Sequence, residues 1–250
     1  MEKGWDIKAL CRRLVLSAAY RQSSTALPGA AERDPNNKLL SRGPRIRLPA
    51  EALRDMALAV SGLLVPRLGG PSVYPYQPAG LWEESGTQHS YHQGKGEALY
   101  RRSIYSFWRR TLPPPSLTAF DAPTREFCKV RRDRTNTPLQ ALVLMNDPQF
   151  IETARILGEK LVRQYPDDET ARVRDAFRLL TSTTPDAKQL ATLTAYLARE
   201  RALVTADQSK TFLTTAGEFP ADPTLPPLEV TATARMVRLL FGYQETAMKP

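Results

Sequence analysis

The sequence predicts a mainly α protein, an irregular helical domain with long loops and at most a minor β element near residues 99–112. Three observations carry this. Apolar residues recur at helical spacing in segment after segment. The 21 prolines gather mostly between those segments. Only one stretch, Leu99 to Leu112, is dense in β-forming residues. A chain of 250 residues, 42% hydrophobic and 24% charged, can bury a substantial core.

The first helix is expected over 6–20. Asp6 caps it, and Ile7, Leu10, Leu14 and Ala18 share one face. So apolar a face at this place predicts a partner upstream. Residues 21–48 read as loop, with a turn at Asp34-Pro35-Asn36-Asn37. A second helix follows Pro49 and runs over 50–64, with Leu53, Met56, Ala57, Val60, Leu63 and Leu64 as its stripe. Residues 71–98 are irregular, and long loops of that kind are commonly functional. The segment 99–112 is assigned as a strand on its aromatic content, closed by Pro113-Pro114-Pro115. Thr137 then caps a short helix with Pro138 in its first turn and Leu139, Leu142, Val143 and Met145 as its apolar residues. Asp147-Pro148 opens the next, which buries Phe150, Ile151, Ala154, Leu157, Leu161 and Val162. Helices over 168–182, 186–204 and 228–242 complete the pattern, with 205–227 as a proline-rich linker.

Charge is unevenly spread. The net charge is +9, and residues 1–150 hold 22 Lys/Arg against 13 Asp/Glu, whereas 151–250 hold 13 of each. The whole excess therefore lies in the first part, a basic loop-rich region followed by a balanced helical one over 151–250. It suggests an acidic partner or a solvated basic face. The densest polar stretch is 121–138. It places Arg125, Lys129, Arg131, Arg132 and Arg134 beside Asp121, Glu126 and Asp133, with Asn136 close by. Arginine forks pair bidentately with carboxylate, phosphate or sulfate. This stretch is either an oxyanion-binding site or an internal ion-pair network that pins a loop. Tyr100, Tyr105, Phe107 and Trp108 interleave with Arg101, Arg102, Arg109 and Arg110, a pattern that stacks bases or sugar rings, or else supplies core. Trp82 and Trp108 are the tryptophans expected at a ligand.

Catalytic and metal signals are weak. His89 and His92 are the only histidines, with no further ligand set in view. No GxSxG elbow accompanies them. Cys128 lies among arginines that favour its thiolate, yet a lone cysteine is more often packing. Glu83-Glu84 and Asp167-Asp168-Glu169 are adjacent in sequence, and the second run suits a helix N-terminus. No CxxCH motif is present, so no haem cofactor is expected in this chain. No apolar run approaches bilayer length, and the N-terminus lacks an export-signal core, which read literally places the chain in the cytoplasm.

Several phrases together carry a family resemblance. They are Trp5-Asp-Ile-Lys-Ala-Leu, Ala19-Tyr-Arg-Gln-Ser-Ser24, Arg45-Ile-Arg-Leu-Pro-Ala-Glu51, Gly69-Gly-Pro-Ser-Val73, Tyr76-Gln-Pro-Ala-Gly-Leu-Trp82, Arg101-Arg-Ser-Ile-Tyr105 and Arg134-Thr-Asn-Thr-Pro-Leu-Gln-Ala-Leu142 running into Asn146-Asp-Pro148. The chain resembles the planctomycete-specific PSD-type domain of unknown function over nearly its whole length. Cys11, where a histidine is expected, and the ending from Phe241 depart from that pattern. The resemblance implies one domain at the C-terminal end of a larger exported protein, in the periplasm or at the cell surface, often alongside cytochrome-c-like domains. It implies an upstream domain as partner and carries no catalytic residues. On this reading the chain is a binding or assembly module, with an anionic, sulfated polysaccharide as candidate ligand and the Arg125–Arg134 segment as its site. A polysaccharide hydrolase using Asp121, Glu126 or His92 is the alternative. Nucleic acid is the weaker one, because export argues against it.

Overall fold

The computed structural model describes residues 4–84 and 90–249. It is mainly helical. Two compact units are present, one from residues before Leu48 together with Met248 and Lys249, the other from Leu48 to Ala247.

The smaller unit holds α1 (Ile7–Val15), α2 (Ala18–Arg21) and α3 (Ala30–Arg33). It also holds a two-residue antiparallel pairing of β1 (Ile46–Arg47) with β2 (Met248–Lys249). Asp6 caps α1 as expected, accepting from the Ala9 amide at 2.9 Å. The single helix expected over 6–20 is broken. Ser17 adopts extended backbone, bonds back to the Leu14 carbonyl and caps α2 through the Tyr20 amide. A serine hydroxyl competing for local backbone groups ends a helix in this way. None of the side chains of α1 is buried, and Trp5, Ile7, Leu10 and Leu14 are all exposed. Polar contacts hold the rest of the unit. The Asp34 carboxylate accepts from the Lys38 and Leu39 amides, and Arg42 donates to the Asp34 and Pro35 carbonyls. The Leu39 amide bond is the main reason the Asp34 carboxyl lies below its ordinary range.

The larger unit begins with α4 (Ala50–Ser61), ended by Gly62 in the left-handed region. Short α5 (Leu81–Glu84) and α6 (Pro115–Thr118) follow within long irregular stretches. The strand expected near 99–112 is corrected. Those residues form two 3-10 turns, Gly96–Tyr100 and Ser103–Tyr105, with isolated bridges Val65–Arg101 and Val73–Ser106. Buried arginines account for this. Arg54 and Arg101 consume carbonyls that a ladder would need, a case of tertiary demand overriding β-propensity.

Then come α7 (Pro138–Asn146), α8 (Pro148–Gln164), α9 (Glu169–Thr181), α10 (Ala187–Leu203) and, after α11 (Ala206–Thr215), α12 (Pro227–Phe241), which build most of the core. Thr137 and Asp147 cap α7 and α8, each with proline in the first turn. The residues expected to be buried on α8 are buried, Ile151 only in part. Its partner is α12. The two backbones approach so closely that a Cβ at Gly158 would sit 3.1 Å from the Ala234 amide nitrogen, and Ala154, Ala232 and Ala234 are fully buried around it. Phe150 and Phe241 meet edge to face at 5.6 Å. The short helix expected after Thr137 is present as α7, with Val143 and Met145 half-buried. Leu139 and Leu142 are exposed, and Gln140 and Leu144 are buried. The expected linker 205–227 is overturned in its first half by α11. That helix begins with a capping box in which Thr205 and Gln208 satisfy each other's backbone amides.

A carboxylate cluster ties α9, α10 and α12. Glu229 accepts from buried Arg172 at 2.7 Å and from Arg201 at 2.5 Å, and Arg201 also reaches Glu169. Between α11 and α12, Asp222 accepts from the Thr224 hydroxyl at 2.6 Å and from Arg163 at 2.6 Å. Those contacts, the hydroxyl first, draw its carboxyl from 3.8 down to about 2. A depressed folded-state value stabilises the fold above the unfolded value, and that contribution disappears as pH falls from about 4 through about 2. The Asp222→Asn variant should therefore be less stable than the parent at pH 6, with the gap closing below pH 3. Urea midpoints measured across that range check it.

Candidate functional site

The basic segment is a loop clasped at both ends. At its start the Trp108 indole donates to the Thr124 carbonyl at 3.0 Å, and the Arg125 guanidinium lies 4.8 Å over the same ring. At its end the Asp121 carboxylate accepts from the Thr135 amide at 2.7 Å and from its hydroxyl at 2.9 Å. The buried Gln140 amide donates to that hydroxyl at 2.9 Å, and Thr137 caps α7. The phrase Arg134-Thr-Asn-Thr-Pro-Leu-Gln thus reads as a buckle, with Thr135, Thr137, Pro138 and Gln140 each closing or capping something.

Between the clasps every residue from Arg125 to Leu139 is exposed. Its basic groups divide into two sets. Arg132 pairs with Glu51 in the first turn of α4 at 2.8 Å, and Lys129 pairs with Asp133 at 2.9 Å. Among the described residues, Arg131 and Arg134 have no ion pair and no hydrogen bond, and Asn136 has no hydrogen-bond partner. The ion-pair network expected of this stretch is present in part. Some of its charges fix the loop, and two arginines remain for solvent or a ligand. Cys128 is exposed, not packed, and so is Cys11.

Trp82 stands elsewhere, in an aromatic pocket. Tyr74 stacks on Phe107 at 4.9 Å, and buried Trp82 meets Tyr91 edge-on at 5.2 Å. Tyr74, Trp82, Ser90, His92, Phe107 and Arg109 line a cavity of about 440 Å³. The Arg109 guanidinium lies 4.8 Å over Trp82, and its Nη1 is buried without a hydrogen-bond partner among the described residues. Phe107 donates to the Val73 carbonyl, and Gly94 donates to that of Tyr74, which fixes two walls. Along Phe107-Trp108-Arg109 the side chains alternate. Phe107 and Arg109 line the pocket, and Trp108 supports Arg125. The aromatic and basic residues of this stretch therefore serve different surroundings in turn, outside any strand. The rest of that pattern is structural: Tyr100 is buried, and Arg101 stacks on Tyr105 at 3.8 Å while holding the carbonyls of Arg67 and Gly69.

The residues named for hydrolysis are not gathered. Asp121 is occupied by Thr135, Glu126 is exposed, and neither lines the pocket that holds His92. His89 lies outside the described residues. No group of three or more metal-ligating side chains occurs among the described residues. Sequence reading missed Glu152. Its carboxylate is fully buried and accepts from the Tyr100 hydroxyl at 2.9 Å and the Phe219 amide at 2.8 Å. Burial, with that carboxylate next, pushes both the Tyr76 and Tyr100 phenols up. Nothing marked Glu152 in the sequence, because it sits on a helix whose other faces read as ordinary core.

These features define a helical protein whose polar machinery is mostly internal and whose exposed chemistry is a clasped basic loop and an aromatic pocket. The family model described as a protein of unknown function (DUF1553) matches residues 1–197, so the chain belongs to the PSD1 family. The match runs from α1 into α10. No curated protein and no solved structure matches the chain. No described helix is long and apolar enough to cross a membrane.

Proposed function

We propose that this chain is a binding and assembly module of a larger exported protein, acting in the periplasm or at the cell surface, and that its basic loop holds an anionic, sulfated polysaccharide. One observation carries the reading. Arg131 and Arg134 stand unpaired on a loop that clasps at Trp108 and Asp121 hold in place. A held loop has less backbone freedom to lose when its guanidinium forks meet a sulfate ester, which favours binding. The exposed face of α1 supports the assembly part: Trp5, Ile7, Leu10 and Leu14 suit docking against a neighbouring domain, which would also carry any haem. The wider setting rests on the family resemblance of the motifs above.

The test is isothermal titration of the parent and the Arg131→Ala/Arg134→Ala variant with carrageenan, agarose and double-stranded DNA at moderate salt. The parent should bind the sulfated chain in preference to the other two. The variant should bind it about tenfold more weakly, the sum of two exposed charge contacts. Its salt dependence should also be shallower. Unchanged affinity in the variant, or equal binding of agarose, would remove the glycan reading. Tighter binding of DNA would turn it toward nucleic acid.

A further inference from the structure

A second cavity, of about 450 Å³, opens where α9, α10 and the end of α12 meet the end of α7. Buried Phe177, Leu193 and Leu240 make its floor, and Met145, Leu239 and Tyr243 its walls. That volume falls in the range of about 300–1,000 Å³ typical of small-molecule pockets, and the apolar lining is also typical of them. The polar groups at its mouth are nearly all engaged. Thr192 donates its hydroxyl to the Lys188 carbonyl, and the Gln189 amide nitrogen reaches the Tyr243 hydroxyl at 3.4 Å. The remaining one is the Lys188 ammonium, exposed at the rim. Among the described residues it has neither ion pair nor hydrogen bond, and it is the only charged residue in the lining.

An apolar groove with one free cation at its rim selects for a molecule with an apolar body and a single anionic head. The body is driven in by the area it removes from water. The head stays at the rim, where it meets the ammonium without being desolvated, so the charge adds selectivity more than affinity. We propose that this cavity binds a small amphiphilic carboxylate of the fatty-acid class, tail inward, with Lys188 at its head group. This site is separate from the basic loop and independent of the glycan reading.

The full chain would be titrated calorimetrically with decanoate, decanol and decylamine, each below its micelle concentration. One saturable site is expected, with decanoate binding about threefold more tightly than decanol and decylamine weakest. Lys188→Glu should reverse the order of acid and amine and leave decanol unchanged. Thr192→Trp places an indole into the groove from an exposed helical position. It should abolish binding of all three while circular dichroism and urea midpoint stay at parental values. No saturable binding by the parent, equal binding of acid and amine, or undiminished binding to Thr192→Trp would each overturn the proposal. So would a concentration-dependent dimer dissolved by Thr192→Trp, which would assign the groove to a second copy.

Discussion

Replacing Arg155 with alanine is expected to cost about 3–5 kcal/mol of folding stability, because it leaves a buried carboxylate without its countercharge. The side chain is wholly buried on α8. Its Nη1 pairs with Glu159 at 2.5 Å, its Nε donates to the Ala216 carbonyl at 3.0 Å, and its Nη2 donates to the Phe219 carbonyl. Burial already raises the Glu159 carboxyl above its ordinary range, against the opposing pull of Arg155. With the arginine gone, the carboxylate must take a proton or draw in water, and two carbonyls lose their donor. Urea denaturation at pH 7 measures the loss. Combining Arg155→Met with Glu159→Leu should recover part of it, since an apolar pair of similar volume removes the stranded charge. A loss under about 1 kcal/mol in Arg155→Ala would mean that the segment after α11 is not held from α8.

Arg54→Ala is expected to cost about 3 kcal/mol or more, from buried acceptors left without donors at about 1–3 kcal/mol each. The guanidinium lies on α4 and reaches the Leu99 carbonyl at 2.6 Å, the Arg101 carbonyl at 2.8 Å and the Gln149 side chain at 3.0 Å. Asp55 completes the clamp by accepting from the Ser103 amide and hydroxyl at 2.7 Å each. Burial outweighs the favourable pull of Asp55 and Asp147, and brings the Arg54 guanidinium down to about 10. The effect has a location as well as a size. Hydrogen exchange should accelerate most over 99–106, the backbone that leads into Phe107 and Trp108. Arg54→Lys keeps the charge but cannot reach three acceptors at once, so it should recover less than half of the loss. Uniform acceleration across the helices would place the defect in the core instead.

Much of the helical framework is written locally. Asp6, Thr137 and Asp147 were identifiable as caps because short oxygen side chains before an apolar period have one common use. Pro138 and Pro148 mark first turns for a reason equally local. The start of α11 is also local, in the capping box of Thr205 and Gln208, but the prolines at 220, 223, 226 and 227 give the whole stretch the composition of a linker. What could not be read is whatever depends on distant arginines. Leu99 to Leu112 has the composition of a strand. Its backbone follows Arg54, which is 45 residues from Leu99. The basic loop was visible as a run of charge. Which of its cations are free was not, because that turns on Glu51, which lies 81 residues from Arg132. Leu139 and Leu142 are apolar yet exposed, because the buried face of α7 carries Gln140, which reaches Thr135.

The pairing of α8 with α12 has a bearing on how the chain is made. The two helices meet through small residues at Gly158 and Ala234, with α9, α10 and α11 lying between them in sequence. A ribosome releases α4 and the basic loop long before Phe241 emerges. Until then α8 has an unfinished apolar surface, and Gly158 offers no side chain with which to cover it. The contact between α8 and α12 can therefore form only after α9, α10 and α11 have been made, when the basic loop has already been synthesised.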